Sequence, residues 1–269
     1  MTSSASLSRV WLGVFACAVL LFLVLPVLII APMSFSSAQS LQFPPPGFSL
    51  RWYANLLGNP IWLDAGRNSL LLATISSSAA LVVGTLASYV LVRGHFAGKH
   101  IIEANFMAPM IVPSIITAVA LYIFFARVGI LGSFFGLALG HTILATPYVV
   151  LIMQAAIRGF DVRIEQVAAT LGASQWQILT RIVLPNLLPS AAAAWIFCFV
   201  MSFDEVVITL FISGAHVTIP KRMFAELMLQ VNPTVTAVAT LLIGFNLLAL
   251  GILLLFGKRV NLFNSGMTQ

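Results

Sequence analysis

The sequence contains very little charge. Asp, Glu, Lys and Arg together make up 7% of its 269 residues, whereas hydrophobic residues make up 60%. A soluble domain carries about 25% charged residues, which cover much of its surface. The composition therefore excludes a soluble protein and predicts an integral membrane protein.

Acidic residues are particularly scarce: 7 Asp and Glu stand against 13 Lys and Arg, which gives a net charge of +6. The basic residues are scattered near the ends of apolar runs, a pattern typical of membrane topology and not of a groove for phosphates. We therefore expect contact with lipid and none with nucleic acid. The two cysteines, Cys17 and Cys198, lie inside apolar runs, so no disulfide is expected.

Catalytic and nucleotide-binding motifs are also lacking. The sequence contains no HExxH, and residues 172–176 (GASQW) lack the final glycine of a Gly-x-Ser-x-Gly motif. Residues 94–99 (GHFAGK) superficially suggest a phosphate-binding loop, but three residues separate the glycines and His100 replaces the required Ser or Thr. We expect no catalytic residue, no cofactor, no metal and no ATP bound by this chain.

Six long apolar runs predict six transmembrane helices in an all-α, polytopic membrane protein. The first run is longer than the apolar stretch of about 7–15 residues in a signal peptide, so we expect an uncleaved helix. In the third run, Pro109 and Pro113 predict a kink. The predicted spans are residues 10–31, 68–92, 104–125, 134–157, 191–212 and 235–256.

Two further features concern the first and second spans. Residues 48–57 predict a short interfacial helix with Trp52 and Tyr53 at headgroup level. The first span and this outer segment together form a first region, residues 1–67. In the second span, Ala80, Gly84 and Ser88 are spaced four apart, so this face is predicted to pack against another helix.

The distribution of basic residues predicts that both termini are cytoplasmic. With that orientation, eight basic residues are cytoplasmic and five are external. The cytoplasmic set is Arg9, Arg93, Lys99, Arg158, Arg163, Arg181, Lys258 and Arg259, and the external set is Arg51, Arg67, Arg127, Lys221 and Arg222. Residues 258–269 are then a cytoplasmic tail, and residues 68–257 are the transmembrane core.

A polar segment, residues 161–189, interrupts the apolar second half and is cytoplasmic in this topology. Asp161 is predicted to cap a short helix over 164–171, which Gly172 ends in a left-handed turn. Ser174 and Gln177 form a capping-box pattern at the start of a second short helix. Two short helices at an angle suit docking to a partner outside the membrane, and the alternative is a surface helix lying on lipid headgroups.

The spacing within this segment matches a known motif. Gly172, nine residues, Ile182, one residue and Leu184–Pro185 match the second part of the EAA motif of bacterial type I ABC importer permease subunits, which the chain resembles. The first part is degenerate, with Gln166, Val167 and Ala168 in place of Glu-Ala-Ala and Glu165 one position earlier. The resemblance implies that the segment is a coupling helix, with Glu165, Gln166, Ala168, Gly172, Ala173, Ser174, Ile182, Leu184 and Pro185 as its coupling residues.

The resemblance also implies an assembly in the bacterial inner membrane. A second, related permease subunit would pair with this chain. Two cytoplasmic ATPase subunits would bind the ATP, and an extracytoplasmic solute-binding protein would deliver the cargo. The fold implied is the six-span transmembrane fold of type I ABC importers.

Two adjacent acids, Asp204 and Glu205, are the only ones placed deep in a predicted span. Such residues usually face a polar cavity or a partner helix, and they are often functional. Ser202, Glu205, Thr209 and Ser213 lie on one helical face, with Asp204 about 100° away. The predicted substrate path comprises Ser202, Phe203, Asp204, Glu205 and Thr209, and Phe203 and Phe211 could supply cation–π contacts. The alternative is that these acids are structural and hydrogen-bonded to a neighbouring helix. The lone His141 in the fourth span is expected to be a hydrogen-bonded structural residue.

Buried carboxylates favour a cationic cargo. The segments SFDEVVITLFISG, TIPKRMFAEL and NPTVTAVATLLI resemble the permease subunits of bacterial spermidine/putrescine importers, which implies a polyamine cargo. Permeases for thiamine, ferric iron, phosphonates, opines or amino-acid-like solutes remain alternatives. A self-sufficient secondary transporter is another, although six spans with few buried charges argue against it.

Overall fold

The computed structural model describes residues 3–229 and 232–265, and these residues are almost entirely helical. Their one β-bridge pairs Ser36 with Phe48. The helices are α1 Ser3–Ser34, α2 Arg51–Gly58, α3 Pro60–Arg93, α4 Lys99–Ile111, α5 Ser114–Arg127, α6 Phe134–Gly159, α7 Val162–Thr170, α8 Gln175–Ile178, α9 Leu184–Asp204, α10 Val207–Ile212, α11 Ile219–Leu229 and α12 Thr234–Ser265.

Five of these helical segments are long and apolar enough to cross a membrane, and a sixth span is possible if the bent pair α4–α5 counts as one. The prediction of an all-α, polytopic membrane protein is confirmed. The predicted spans 10–31, 68–92, 134–157 and 235–256 fall within α1, α3, α6 and α12. Residues 1–2 of the predicted first region lie outside the described residues. In the predicted tail, residues 258–265 continue α12, and residues 266–269 lie outside the described residues.

The third predicted span is not one kinked helix. The helix axis bends by 107° between α4 and α5, and the break lies at Val112 and Pro113. Val112 has φ −73° and ψ 133°, the extended backbone that a following proline imposes. Pro113 also lacks the N–H that would continue the ladder, whereas Pro109 is accommodated inside α4.

The fifth predicted span, 191–212, is also wrong as a single helix. Helix α9 ends at Asp204, Glu205 has extended backbone, and α10 begins at Val207. At its other end α9 continues from α8 through a π-helical turn, Leu179–Val183, immediately before Pro185. The predicted second short helix is therefore the beginning of this span, a continuous helical segment Gln175–Asp204.

The described residues fall into two compact units, one within Met1–Leu63 and Ala225–Leu247, the other within Asp64–Phe224 and Leu248–Gln269. In the first unit, the Trp52 indole donates to the carbonyl of Ser36 at 2.9 Å. The Tyr53 hydroxyl is 2.7 Å from Ser34 Oγ. The predicted interfacial helix exists as α2, but Trp52 is buried in this unit, where the Ser36 carbonyl satisfies its indole N–H.

In the second unit, α6 is the most buried span and packs along α9. The small-residue face of α3 lies against α6, as predicted. A Cβ on Gly84 would lie 2.7 Å from the Val149 side chain, and Ser88 Oγ donates to the carbonyl of Val150 at 3.2 Å. Small side chains therefore allow the two helix backbones to approach.

Candidate coupling surface and acidic helix break

Helix α7 is built by local capping contacts. Asp161 Oδ1 accepts from the backbone N–H of Arg163 at 2.9 Å, and the helix begins at Val162, two residues earlier than predicted. It ends at Thr170, and Gly172 adopts a positive φ of 89°. The N–H of Ala173 reaches the carbonyl of Ala168, and that of Gly172 reaches Ala169, both at 3.0 Å. The Asp161 cap and the left-handed glycine turn are confirmed.

The start of α8 has the predicted capping box. Gln177 N–H donates to Ser174 Oγ at 3.3 Å, and Ser174 N–H donates to Gln177 Oε1 at 2.8 Å. Because α8 continues into the fifth span, the box joins the turn after α7 directly to a transmembrane helix. Four residues, 171–174, therefore connect α7 to this helix, and the capping box fixes the last of them.

The inner face of α7 is fixed to α3 by an ion pair in which the Glu165 side chain is buried and the Arg93 side chain is partly exposed. Arg93 Nε donates to Glu165 Oε1 at 2.8 Å, and the Tyr89 hydroxyl donates to Glu165 Oε2 at 3.0 Å. Arg93 also donates to the carbonyl of Phe160 at 3.0 Å. Glu165 is 7% exposed, so it binds within this chain and does not present its carboxylate to a docked protein. Tyr89 and Arg93 were not predicted as partners of Glu165, although their four-residue spacing at the end of a span places them on one helical face.

The remaining predicted coupling residues divide into two groups. One group packs inward with the hydrophobic core, and the other is exposed. The inward group is Ala168, Ala173, Ile182 and Leu184, and the exposed group is Gln166, Gly172, Ser174 and Pro185.

Large apolar side chains also cover the outer side of this element. Leu171 is 82% exposed and Trp176 is 65% exposed, and Ile164 and Val167 are exposed as well. We call these four residues the coupling surface. Ile164, Val167 and Leu171 have the i, i+3, i+7 spacing of one helical face, a signal that the sequence analysis did not use. Clustered apolar side chains on a polar element mark an interaction surface.

The acidic pair lies where α9 ends. Asp204 is exposed and Glu205 is partly buried. Glu205 Oε1 accepts from the backbone N–H of Ile208 at 2.9 Å, so this side chain caps α10. The acidic pair therefore belongs to an interruption of the helix, and the predicted single stripe from Ser202 to Ser213 is wrong because the helix does not continue.

Ser202 and Thr209 nevertheless meet at His141. Its Nδ1 is 2.8 Å from Ser202 Oγ, and its Nε2 is 2.9 Å from Thr209 Oγ1. A small pocket of about 10 Å³, room for about one water molecule, is lined by His141, Leu144, Ala145, Met201, Ser202 and Glu205. The expectation that His141 is hydrogen-bonded is confirmed.

The ring of Phe203 lies elsewhere. It stacks on Phe199 with ring centroids 5.9 Å apart, and it is buried. Within this chain the Phe203 ring is therefore largely covered and packs against Phe199.

Comparison with known families identifies this arrangement. Residues 80–262, which include α6, the coupling surface and the acidic break, match the family described as binding-protein-dependent transport system inner membrane component. The chain belongs to this family. It is the transmembrane permease subunit of an ATP-driven ABC importer.

Individual relatives are similar over most of the permease. It is 32% identical over 243 residues to the spermidine/putrescine transport system permease protein PotC of Escherichia coli strain K12, covering 90% of this chain and 91% of PotC. It is 32% identical over 231 residues to the putrescine transport system permease protein PotI of the same strain, covering 83% and 82%. A bacterial ABC transporter involved in the import of the acidic polysaccharide alginate has the same fold, with a TM-score of 0.75 and 17% identity over 94% of this chain and 97% of that chain.

The ion pair on α7 gives a first prediction for the permease. Arg93→Met leaves the buried Glu165 carboxylate without its cation, which costs about 3–5 kcal/mol in buried pairs. We expect a lower unfolding temperature in detergent and weaker ATP-coupled uptake. Adding Glu165→Gln should restore much of both, because the uncompensated charge is then removed.

Arg158→Met is the matched control. Arg158 is 3.7 Å from Glu103, but its side chain is 63% exposed, and exposed pairs contribute little to stability. Equal unfolding temperatures for Arg93→Met and Arg158→Met would contradict a structural role for the Arg93–Glu165 pair.

Proposed function

We propose that this permease imports a small polyamine of the spermidine and putrescine type. The observation that carries the proposal is the pair of adjacent carboxylates, Asp204 and Glu205, at an interruption of a transmembrane helix. The names of PotC and PotI support the same cargo class.

Helix geometry strengthens the case for a cation. The last turn of a helix has carbonyl groups without intrahelical partners, and its aligned peptide dipoles place partial negative charge at that end. The C-terminal end of α9 adds Asp204 and then Glu205 to this partial charge. Ammonium groups match such a site. The fold alone does not set the sign of the cargo, because the similar alginate transporter imports an acidic polysaccharide.

The partners follow from the coupling surface. We propose that Leu171, Trp176 and their neighbours dock on a cytoplasmic ATPase, and that two such ATPases bind the ATP. A second permease subunit would complete the path, and an extracytoplasmic solute-binding protein would deliver the cargo. Both termini of this chain would then be cytoplasmic, in the inner membrane of a bacterium.

Alternating access gives the mechanism. Closure of the ATPase pair moves α7, and the Arg93–Glu165 pair carries this motion to α3. The capping box at Ser174 carries it to α9 and hence to the acidic break. The path then opens to receive cargo from the binding protein.

Uptake by the complete importer in proteoliposomes tests the proposal. We expect saturable, ATP-dependent uptake of labelled spermidine and putrescine that excess thiamine, ferric iron or phosphonate does not reduce. Competition by one of these solutes, with no polyamine uptake, would reassign the cargo. Uptake by this chain alone, without an ATPase, would instead support a self-sufficient transporter.

A further inference from the structure

His141 connects the two sides of the broken fifth span. Ser202 lies in the last turn of α9, before the break, and Thr209 lies in α10, after it. The His141 ring, on α6, lies between them and contacts Ser202 at 2.8 Å and Thr209 at 2.9 Å. It is 1% exposed, so bulk solvent does not reach these bonds. One side chain of a neighbouring helix therefore spans the interruption.

The direction of each hydrogen bond in this network can be assigned. Thr209 Oγ1 donates its proton to the backbone carbonyl of Glu205 at 3.1 Å, because a carbonyl only accepts. Thr209 must then accept from His141 Nε2–H. With Nε2 protonated in a neutral ring, Nδ1 accepts from the Ser202 hydroxyl. The chain of bonds runs from Ser202 through His141 and Thr209 to Glu205.

Glu205 is consequently held at two points. Its carbonyl accepts from Thr209, and its carboxylate accepts from the N–H of Ile208 at 2.9 Å. Only Glu205 and Val206 separate the two helices, and neither is in a helix. Ile208 and Ile212 hold α10 in the core, and the bond from His141 to Thr209 fixes the backbone next to the break, where Glu205 lies.

We propose that His141 is a positioning residue of the cargo path, which fixes the angle of the break and thereby the place of the Asp204–Glu205 pair. The proposal rests on the polyamine cargo proposed above. His141 acts through Ser202, Thr209 and Glu205 and does not itself touch the cargo.

Uptake kinetics of five variants, one of them a control, in the complete importer test this role. His141→Phe keeps an aromatic ring and removes both hydrogen bonds, and the double variant Ser202→Ala with Thr209→Val removes the partners instead. Each should raise the KM for spermidine by about tenfold, as expected for loss of two buried hydrogen bonds, with Vmax changed by less than about twofold. Combining all three substitutions should add nothing further, because they act on one network.

His141→Gln should recover most of the affinity, because its amide has one acceptor and one donor for the two hydroxyls. Thr142→Val is the matched control, since the Thr142 hydroxyl donates only within α6, to the carbonyl of Ala138 at 2.7 Å. Its KM should equal that of the wild type.

Three results would overturn the role of His141. One is an unchanged KM in His141→Phe, and another is additive losses in the triple variant. The third is an equal fall in Vmax for every variant with KM unchanged, which indicates a purely structural histidine. Failure of the proposed function looks different: the wild-type importer itself then takes up no polyamine, and the role assigned to His141 falls with it.

Discussion

Gly172→Asp is expected to abolish ATP-dependent uptake while the permease still inserts in the membrane. Gly172 has a φ of 89°, and a Cβ placed there meets no atom within 4 Å of this chain. The left-handed backbone costs a non-glycine residue about 1–2 kcal/mol, and aspartate tolerates it better than most residues. Strain alone is therefore modest, and the larger effect comes from an unpaired carboxylate beside Leu171 on the coupling surface. Burying such a charge against an ATPase costs about 3–5 kcal/mol, so uptake should fall by about a hundredfold or more.

Gly172→Ala separates strain from docking. Alanine has at least as much backbone strain at this φ but brings no charge. The Gly172→Ala permease should therefore keep much of the uptake and retain the ATPase on co-purification. The membrane level of each variant, measured by immunoblot, controls for insertion. Uptake at the wild-type rate by Gly172→Asp would exclude a docking role for this turn. Equal losses in both variants would assign the effect to the turn itself.

The coupling element could be predicted from the sequence because its geometry is local. Asp161 caps a residue two positions away, and Ser174 and Gln177 cap each other across three positions. The left-handed turn at Gly172 is closed by the bond from Ala173 N–H to the carbonyl of Ala168, five residues back. Such contacts depend on neighbours in the chain, so residue type and spacing are sufficient to find them.

The interruption after Asp204 could not be predicted, because no glycine or proline marks it. His141 contacts the side chains on both sides of it, and it is 61 residues from Ser202 and 68 from Thr209 in the chain. The inward direction of Glu165 likewise depends on Arg93, 72 residues away. Pro113 did mark the break between α4 and α5, but membrane helices accommodate many prolines, and Pro109 and Pro147 lie inside helices here.

The second large effect is expected from Asp204→Asn combined with Glu205→Gln. Both changes preserve shape, and the glutamine oxygen can still accept from the N–H of Ile208, so α10 keeps its cap. Hydrogen bonds to charged groups contribute about 1.5–3 kcal/mol each. Loss of two such contacts to ammonium groups should lower the affinity for spermidine by about a hundredfold or more, measured as KM in proteoliposomes.

Charge and structure can be separated with two further variants and one ligand pair. Asp204→Glu with Glu205→Asp keeps both charges and should keep most uptake. Asp64→Asn, which neutralises an acid near the start of α3, should change nothing.

If each carboxylate binds an ammonium group, neutralising the pair should weaken inhibition by putrescine more than inhibition by butylamine, which has one ammonium group instead of two. Unchanged kinetics in the doubly neutral permease, or equal losses for both amines, would remove the acidic break from the cargo path. Such a result would concern the cargo alone, because the transmission proposed from α7 to α9 involves neither carboxylate.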